Sequence, residues 1–428
     1  MKLAGLSSIS AWLGRHTRPL ILGAIIVVAY VAALNRIQAL PWAIAALLTA
    51  TLVTGMTWPH WLVRRLSVIR SGPQRAEEGE TITFHVEVRN HGLLPRFMVE
   101  LVDHLPFVGS SDGPLTLGEK TLGVVTYIPG RSQRRFEVPL VCEKRGYYRL
   151  GPVGMASSFP LGLAEARQRR NDGVQSLTIY PDVFPIIGLN LHGAPSQIHR
   201  GGYLLPEGAG AAEFSGLREY RRGDNPRHIH WPTTARLNEL MIKEFEPLAS
   251  ACLHVVLDQA SDANAGQGKQ STFEYAVRIA ASIAKYASGN NIPTRLMGQG
   301  ERSLCLPVGS GEHHYQCILD ELAVVDADGA TPYAKVLQRV VADCQHGETV
   351  VVFISEPAAP LVNTMQTLAL LRARGANVFA LLFERETFQP PDTANDDATA
   401  IATANLLDFG ASCLTIRRGI DLVKLFNS

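Results

Sequence analysis

Two long apolar runs near the amino terminus restrict what this chain can become more than anything else in it. Thr17 to Leu34, with Arg18 at its head, and Ile37 to Thr57, which carries no charge, are eighteen and twenty-one residues long. As helices rising about 1.5 Å per residue, runs of this length cross a hydrocarbon core of about 30 Å. Lys2, Arg15 and Arg18 stand before or at the start of the first, Arg64, Arg65 and Arg70 follow the second, and only Arg36 lies between them. Positive charge gathers on the cytoplasmic side of a bilayer, so the expected topology is a two-helix hairpin in the inner (plasma) membrane. The amino terminus and the whole body after residue 71 are then cytoplasmic. Trp42, Trp58 and Trp61, near the ends of the second run, suit an interfacial belt. Two other readings stay open: a cleaved signal peptide ending near Val31-Ala32-Ala33, and a buried helical pair in a soluble protein.

With 428 residues the chain exceeds what one core serves, and several domains are expected. From about Gly72 the pattern turns to alternation. Thr81 to Val88 places polar and apolar side chains on opposite faces, and Arg96–Asp103 and Arg134–Cys142 repeat it, with turns at Asn90-His91-Gly92, Asp112-Gly113-Pro114 and Pro129-Gly130. Short strands with turns between them predict an all-β, immunoglobulin-like sandwich over 72–185. A linker and an arginine-rich segment fill 186–250, and 251–428 forms the last domain. There, apolar runs at Leu253–Leu257, Val350–Ile354, Asn377–Phe383 and Ser412–Ile416 alternate with helical patterns at Thr272–Ser288, Tyr315–Leu322, Tyr333–Cys344, Val362–Arg374 and Ile420–Phe426. Alternation of this kind predicts a mostly parallel, doubly wound α/β sheet. Forty basic against thirty-nine acidic residues leave a net charge of +1, which excludes bulk electrostatic binding of nucleic acid. Six scattered cysteines without a Cys-x-x-Cys pair predict reduced, mostly buried thiols.

The densest chemistry lies between Leu217 and Leu237. Arg218, Arg221, Arg222, Arg227 and Arg236 are interleaved there with Glu219, Asp224, Tyr220, His228, His230 and Trp231, in no helical or alternating apolar period. Arginine presents a planar fork of donors suited to carboxylate or phosphate. Arg218, Tyr220, Arg222, Asp224, Arg227, Trp231 and Arg236 therefore form either a surface that recognises an acidic group on a partner or an internal ion-pair clamp. Gly266-Gln267-Gly268-Lys269-Gln270-Ser271 is a false phosphate loop: Ala263 stands where the first glycine belongs and Gln270 where Ser or Thr belongs.

The run Phe214-Ser215-Gly216-Leu217-Arg218-Glu219-Tyr220-Arg221-Arg222-Gly223-Asp224, continued by Arg227, Ile229, Trp231, Ala235 and Arg236, resembles the signature of the family called domain of unknown function 58 (DUF58). Lys144-Arg145-Gly146-Tyr147-Tyr148, Phe159-Pro160-Leu161-Gly162-Leu163 and Tyr180-Pro181 are similar to it as well. The resemblance implies that the last domain is a von Willebrand factor A-like module. Such modules hold a divalent cation through an Asp-x-Ser-x-Ser loop, a threonine and an acidic residue after a central strand. Asp258 fits the first ligand, Thr331 the threonine and Glu356 the last. Ala260 and Asp262 replace the two serines, so magnesium or another divalent cation at Asp258, Asp262, Thr331 and Glu356 would bind a degenerate site, and no other cofactor is expected.

The expected function is a non-enzymatic, membrane-tethered scaffold or adaptor in a chaperone-like or envelope-associated system. The resemblance implies a MoxR-type AAA+ ATPase as protein partner, and a transglutaminase-like membrane protein as a further one. Two alternatives differ in class: a metal-dependent hydrolase built on Asp224, His228 and His230, and a purely structural envelope-assembly factor.

Overall fold

The computed structural model describes residues 3–35, 39–108, 119–169, 174–189, 212–220, 229–237, 239–247, 252–389, 398–408 and 410–427. The chain divides into two compact units, Met1–Tyr180 and Pro181–Ser428.

The first unit opens with two helices, α1 (Leu3–Asn35) and α2 (Ala39–Val63), which lie against each other. The stretches Thr17–Asn35 and Ala39–Val63 are long and apolar enough to cross a membrane, with mean hydropathies of 2.0 and 1.7. Their apolar side chains face outward rather than into a core, as at Val28, Leu34, Leu40 and Leu47. The hydroxyls of Thr49, Thr51 and Thr57 donate back to the carbonyls of Ala45, Leu47 and Val53, so these polar groups are satisfied without water. Between the helices, Tyr30 and Trp42 meet edge to face at 6.0 Å, and the Tyr30 hydroxyl and Thr49 Oγ1 are hydrogen-bonded at 3.2 Å.

At its carboxyl end α2 is joined to a β structure without a break. Leu62 and Val63 are buried, the Arg96 guanidinium stacks 3.7 Å from the Trp61 ring, and β1 (Leu66–Ser71) begins three residues after the helix. The first strand thus lies ahead of the texture change at Gly72. Strands β1, β3 (Thr81–Asn90) and β6 (Gln133–Val141) form one antiparallel sheet, and β5 (Glu119–Ile128), β4 (Arg96–His104), β8 (Gly154–Ser157) and β9 (Ala166–Arg169) form another. Side chains from both meet in one core that includes Leu66, Val86, Val99, Leu101, Ile128 and Met155, which makes a two-sheet sandwich. The alternation read at Thr81–Val88 holds throughout β3: every second residue is buried. A third, small sheet joins β2 (Arg75–Glu77), β10 (Gln175–Tyr180) and β7 (Gly146–Leu150), and its β2–β10 pair is parallel. Arg70 on β1 and Asp103 on β4 make a buried ion pair that links the two main sheets, and burial holds the Arg70 guanidinium below its ordinary pKa.

The second unit holds a six-stranded sheet in the order β15–β14–β13–β16–β17–β18, comprising Ser303–Gly309, Thr294–Gln299, Leu253–Leu257, Thr349–Ile354, Asn377–Phe383 and Ser412–Ile416. All neighbours run parallel except the edge pair β14–β15. Every residue of β13 and β16 is buried, as expected of parallel strands covered on both faces. Val256, Val350, Val352, Ile354, Ala380 and Leu382 pack on the layer of helices Tyr333–Asp343, Ala358–Ala373 and Ala398–Asp408. Helices Thr272–Gly289 and Gly311–Val324 pack together, and the former touches β13 and β14. Residues 181–189 lie on this unit, where the Phe184 N–H donates to Ser282 Oγ at 3.0 Å. The thiols are less uniformly buried than expected: Cys142 and Cys252 are buried, Cys317, Cys344 and Cys413 half-buried, and Cys305 exposed.

Removing one member of the Arg70–Asp103 pair leaves the other charge stranded between the sheets. Asp103→Ala should therefore lower stability by about 3–5 kcal/mol, while Arg70→Met with Asp103→Leu recovers most of the loss, as read by denaturant unfolding of the detergent-solubilised chain.

Candidate functional site

The arginine-rich stretch begins on a ribbon of its own. Strand β11 (Ala212–Glu219) runs antiparallel to β12 (Met241–Pro247), with Leu217 opposite Lys243, Glu219 opposite Met241 and an irregularity between Phe214 and Gly216. Part of what read as linker is therefore a two-stranded sheet, separate from the wound sheet. The short helix Trp231–Leu237 is fastened to β12 by backbone and hydroxyl bonds. The His230 N–H donates to the Met241 carbonyl at 2.8 Å, and Met241 N–H donates to Thr234 Oγ1 at 3.0 Å. The His230 carbonyl accepts from the Thr233 and Thr234 amides, and its ring Nδ1 bonds Thr233 Oγ1 at 2.7 Å. That nitrogen is spent in anchoring the start of the helix.

Trp231 is 64% exposed and Arg236 is exposed on the same helix, while Tyr220 is half-buried with its N–H on the Leu240 carbonyl. Arg218 sits on β11 opposite Ile242. Arg221, Arg222, Asp224, Arg227 and His228 lie outside the described residues, so the clamp and the Asp224–His228–His230 grouping are described only through these neighbours.

A second site forms where the wound sheet changes direction. The chain leaves β13 for β14 on one side, whereas β16 is followed by β17 on the other. The crevice at the carboxyl ends of β13 and β16 is thus the switch point at which such sheets take ligands. Their hydrogen-bonded pairing stops at Val256–Val352. Beyond it the fully buried Tyr333 is inserted: its hydroxyl donates to the Val256 carbonyl at 2.6 Å and accepts from the Phe353 N–H at 3.3 Å. One phenol thus replaces a rung of the ladder and holds the strands apart.

Asp258 and Glu356, both buried, lie just beyond the two strand ends. Burial raises the Asp258 carboxyl well above the ordinary range, and the negative charge of Glu356 adds to it. Burial likewise raises Glu356, whose Oε2 accepts from Thr364 Oγ1 at 2.5 Å. Asp258 Oδ1 accepts the Ala260 N–H at 3.0 Å, but its Oδ2 is buried with no hydrogen-bond partner. Exposed Asp262 adds its charge to both carboxyls. The loop with Thr331 is tied in two residues earlier, where the Gly329 N–H donates to the Gln259 carbonyl at 2.8 Å and the Ser261 N–H to the Gly329 carbonyl at 2.9 Å. Arg385 spans the crevice, donating to the carbonyls of Ala263 at 2.7 Å, Asp262 at 3.3 Å and Ser355.

An acidic setting with one unsatisfied carboxyl oxygen is of the kind a hard cation takes, although Ala260 offers a backbone amide where a hydroxyl would serve. Neighbouring buried carboxyls disfavour each other's ionisation, which a cation between them would restore. The false phosphate loop resolves into local structure. Gly266 and Gly268 have φ of +89° and +55°, and Ser271 caps helix Thr272–Gly289 by accepting the Glu274 N–H at 3.3 Å.

Residues 216–405 match the family described as "Protein of unknown function DUF58". That segment carries the DUF58 match. The DUF58 segment runs from β11 to helix Ala398–Asp408, so it contains both the ribbon and the switch point. A 119-residue stretch is 32% identical to "Uncharacterized protein YeaD" of Bacillus subtilis (strain 168), covering 28% of each chain, so the match spans little more than a quarter of that relative's length. Among solved structures, the CARDB domain of a Pyrococcus furiosus protein aligns with 27% of this chain and 94% of its own at 12% identity and a TM-score of 0.20. Proximal thread matrix protein 1 from the mussel byssus aligns with 38% of this chain and 47% of its own at 14% identity and a TM-score of 0.24. Scores this low do not establish a shared fold.

Two outcomes are expected. Tyr333→Phe leaves the Phe353 N–H and Val256 carbonyl without their partner and should destabilise the second unit by about 1–3 kcal/mol, measured by urea unfolding. Because the Asp258 carboxyl is raised, the folded state binds more protons than the unfolded one above the ordinary carboxyl pKa of about 3.9, so stability falls as pH rises from there. Thermal melts in chelator should show that decline, flattened in Asp258→Asn. If magnesium restores the wild-type melt at neutral pH but not that of the variant, a cation takes the place of the proton.

Proposed function

We propose that this DUF58 protein is a membrane-anchored docking protein without catalytic activity of its own, whose ribbon and short helix receive a protein partner. The observation that carries the reading is Trp231, largely exposed yet standing on a helix fastened through His230, Thr234 and Met241. Tryptophan and arginine are among the residue types most enriched at the energetic centres of protein interfaces, and Trp231 and Arg236 are both exposed on this helix. The acidic neighbours in the same stretch suit a partner surface of mixed charge.

The two apolar helices anchor the chain, and the basic residues flanking them favour placing the body in the cytoplasm. We take the wound sheet as von Willebrand factor A-like, with Asp258 and Glu356 as the groups that would hold a divalent cation there. Such a cation would supply a Lewis-acidic coordination point for a carboxylate of the partner. From the family resemblance we assign the partner as a MoxR-type AAA+ ATPase. The hairpin fixes the body at the membrane while the partner's nucleotide hydrolysis supplies the work.

The test is co-purification of the detergent-extracted chain with cytosolic ATPases, with and without ATP. Trp231→Ala is expected to weaken recovery by about 2 kcal/mol in affinity, roughly thirtyfold, and Arg236→Glu to weaken it as well, with unchanged thermal melts. Recovery of no ATPase in either condition sinks the proposal, as does protease protection that places the carboxyl-terminal half outside the cell.

A further inference from the structure

At the opposite, amino-terminal end of the same sheet lies a group of side chains that the docking proposal does not use. Cys252 immediately precedes β13 and Glu348 immediately precedes β16, and the register pairs Leu253 with Thr349, so the two residues stand side by side where the strands begin. His254 is two residues beyond Cys252 and therefore on the same face. One donor atom each from Cys252, His254 and Glu348 lie within 4.8 Å of one another, and all three residues are buried. A second thiol closes on the group from the helix layer. Cys344, at the carboxyl end of helix Tyr333–Asp343, interacts with both Glu348 and Cys252.

The hydrogen bonding within this group is incomplete. His254 Nε2 bonds Glu348 Oε2 at 2.9 Å, and the same oxygen accepts the Gln345 N–H at 2.7 Å. His254 Nδ1 is buried with no partner, in a residue only 2% exposed. Nε2, which shares Glu348 with the group, is the ring nitrogen placed to join a cation together with the carboxylate, giving up its proton to do so. Burial and the charge of Glu348 push both the Cys252 and the Cys344 thiols up to about 12. They are therefore thiols at neutral pH, and become thiolates when a cation displaces their protons.

We propose that Cys252, His254, Cys344 and Glu348 form a structural zinc site that staples the starts of β13 and β16 to the end of helix Tyr333–Asp343. Two sulfurs and an imidazole select a borderline-soft cation over magnesium or calcium, and a carboxylate oxygen completes four donors. Tetrahedral zinc with bonds of about 2.0–2.3 Å draws its ligands roughly 3.3–3.8 Å apart, so the group closes on binding. Metal entry releases roughly two thiol protons, so affinity falls steeply on acidification. The site is at the other end of the strands from Asp258 and Glu356 and stands whether or not the docking proposal does.

The experiment uses the full chain in detergent, reduced, stripped with chelator, loaded with zinc or with cobalt and desalted. Elemental analysis should find one zinc per chain, and the cobalt form should show the thiolate charge-transfer band of a tetrahedral sulfur site. Cys252→Ser and Cys344→Ser should each lower affinity by at least about tenfold and weaken that band. Cys413→Ser, at a half-buried thiol on β18 that packs against the same core but lies outside the group, should retain both signals. Should Cys252→Ser fail to fold, the half-buried Cys344 carries the comparison. The proposal is overturned if desalting leaves no zinc, if the cobalt spectrum lacks thiolate character, or if Cys413→Ser loses metal as readily as Cys344→Ser.

Discussion

The hydroxyl of Tyr333 sits where a rung between β13 and β16 would otherwise form, donating to one strand and accepting from the other. Strand order already makes that seam the place where the sheet's two wings diverge, and the inserted phenol turns divergence into a crevice. Two carboxyl groups follow from the geometry. Asp258 and Glu356 are simply the residues that come next when the two strands stop, and the helices that bury the strands bury them too. Their raised protonation is the electrostatic cost of that position, and Arg385, bonded to carbonyls of both loops, holds the mouth together.

In the first unit the corresponding constraint is continuity. Helix α2 runs with hardly a break into β1, with Leu62, Val63 and Leu66 all buried and Trp61 covered by Arg96. An apolar helix that would be free to swivel on a flexible tether is instead part of the sandwich's own packing. The buried Arg70–Asp103 pair then ties the strand it feeds to the facing sheet. A charge pair in such a core contributes little net stability over an apolar filling, but it penalises any register in which the two residues fail to meet.

What could be read from the residues followed from periodicity. The alternation of β3, the apolar runs of β13, β16 and β17, and the amphipathic helix Thr272–Gly289 each announce their surroundings within a few neighbouring residues. Strands β14 and β15 did not, because Gly298 and Pro307 interrupt them and β15, at an edge, buries little. The ribbon β11–β12 was hidden in a segment whose charges obey no period; its pairing is made by backbone groups across more than twenty residues. Cys252, His254, Cys344 and Glu348 gave no motif, since spacings of two, ninety and four residues match no familiar metal pattern. Only parallel register brings them to one place.

The sequence by itself determined which segments bury both faces, which bury one, and which helices are apolar enough to leave water, because those properties are carried by side chains close in the chain. It also carried the DUF58 signature, which is a property of residue identity alone. Tertiary structure decided what meets at the two ends of the wound sheet: carboxyls and a phenol at one, thiols, imidazole and carboxylate at the other. Those encounters depend on strand order and register, which join residues about a hundred positions apart and leave no local trace.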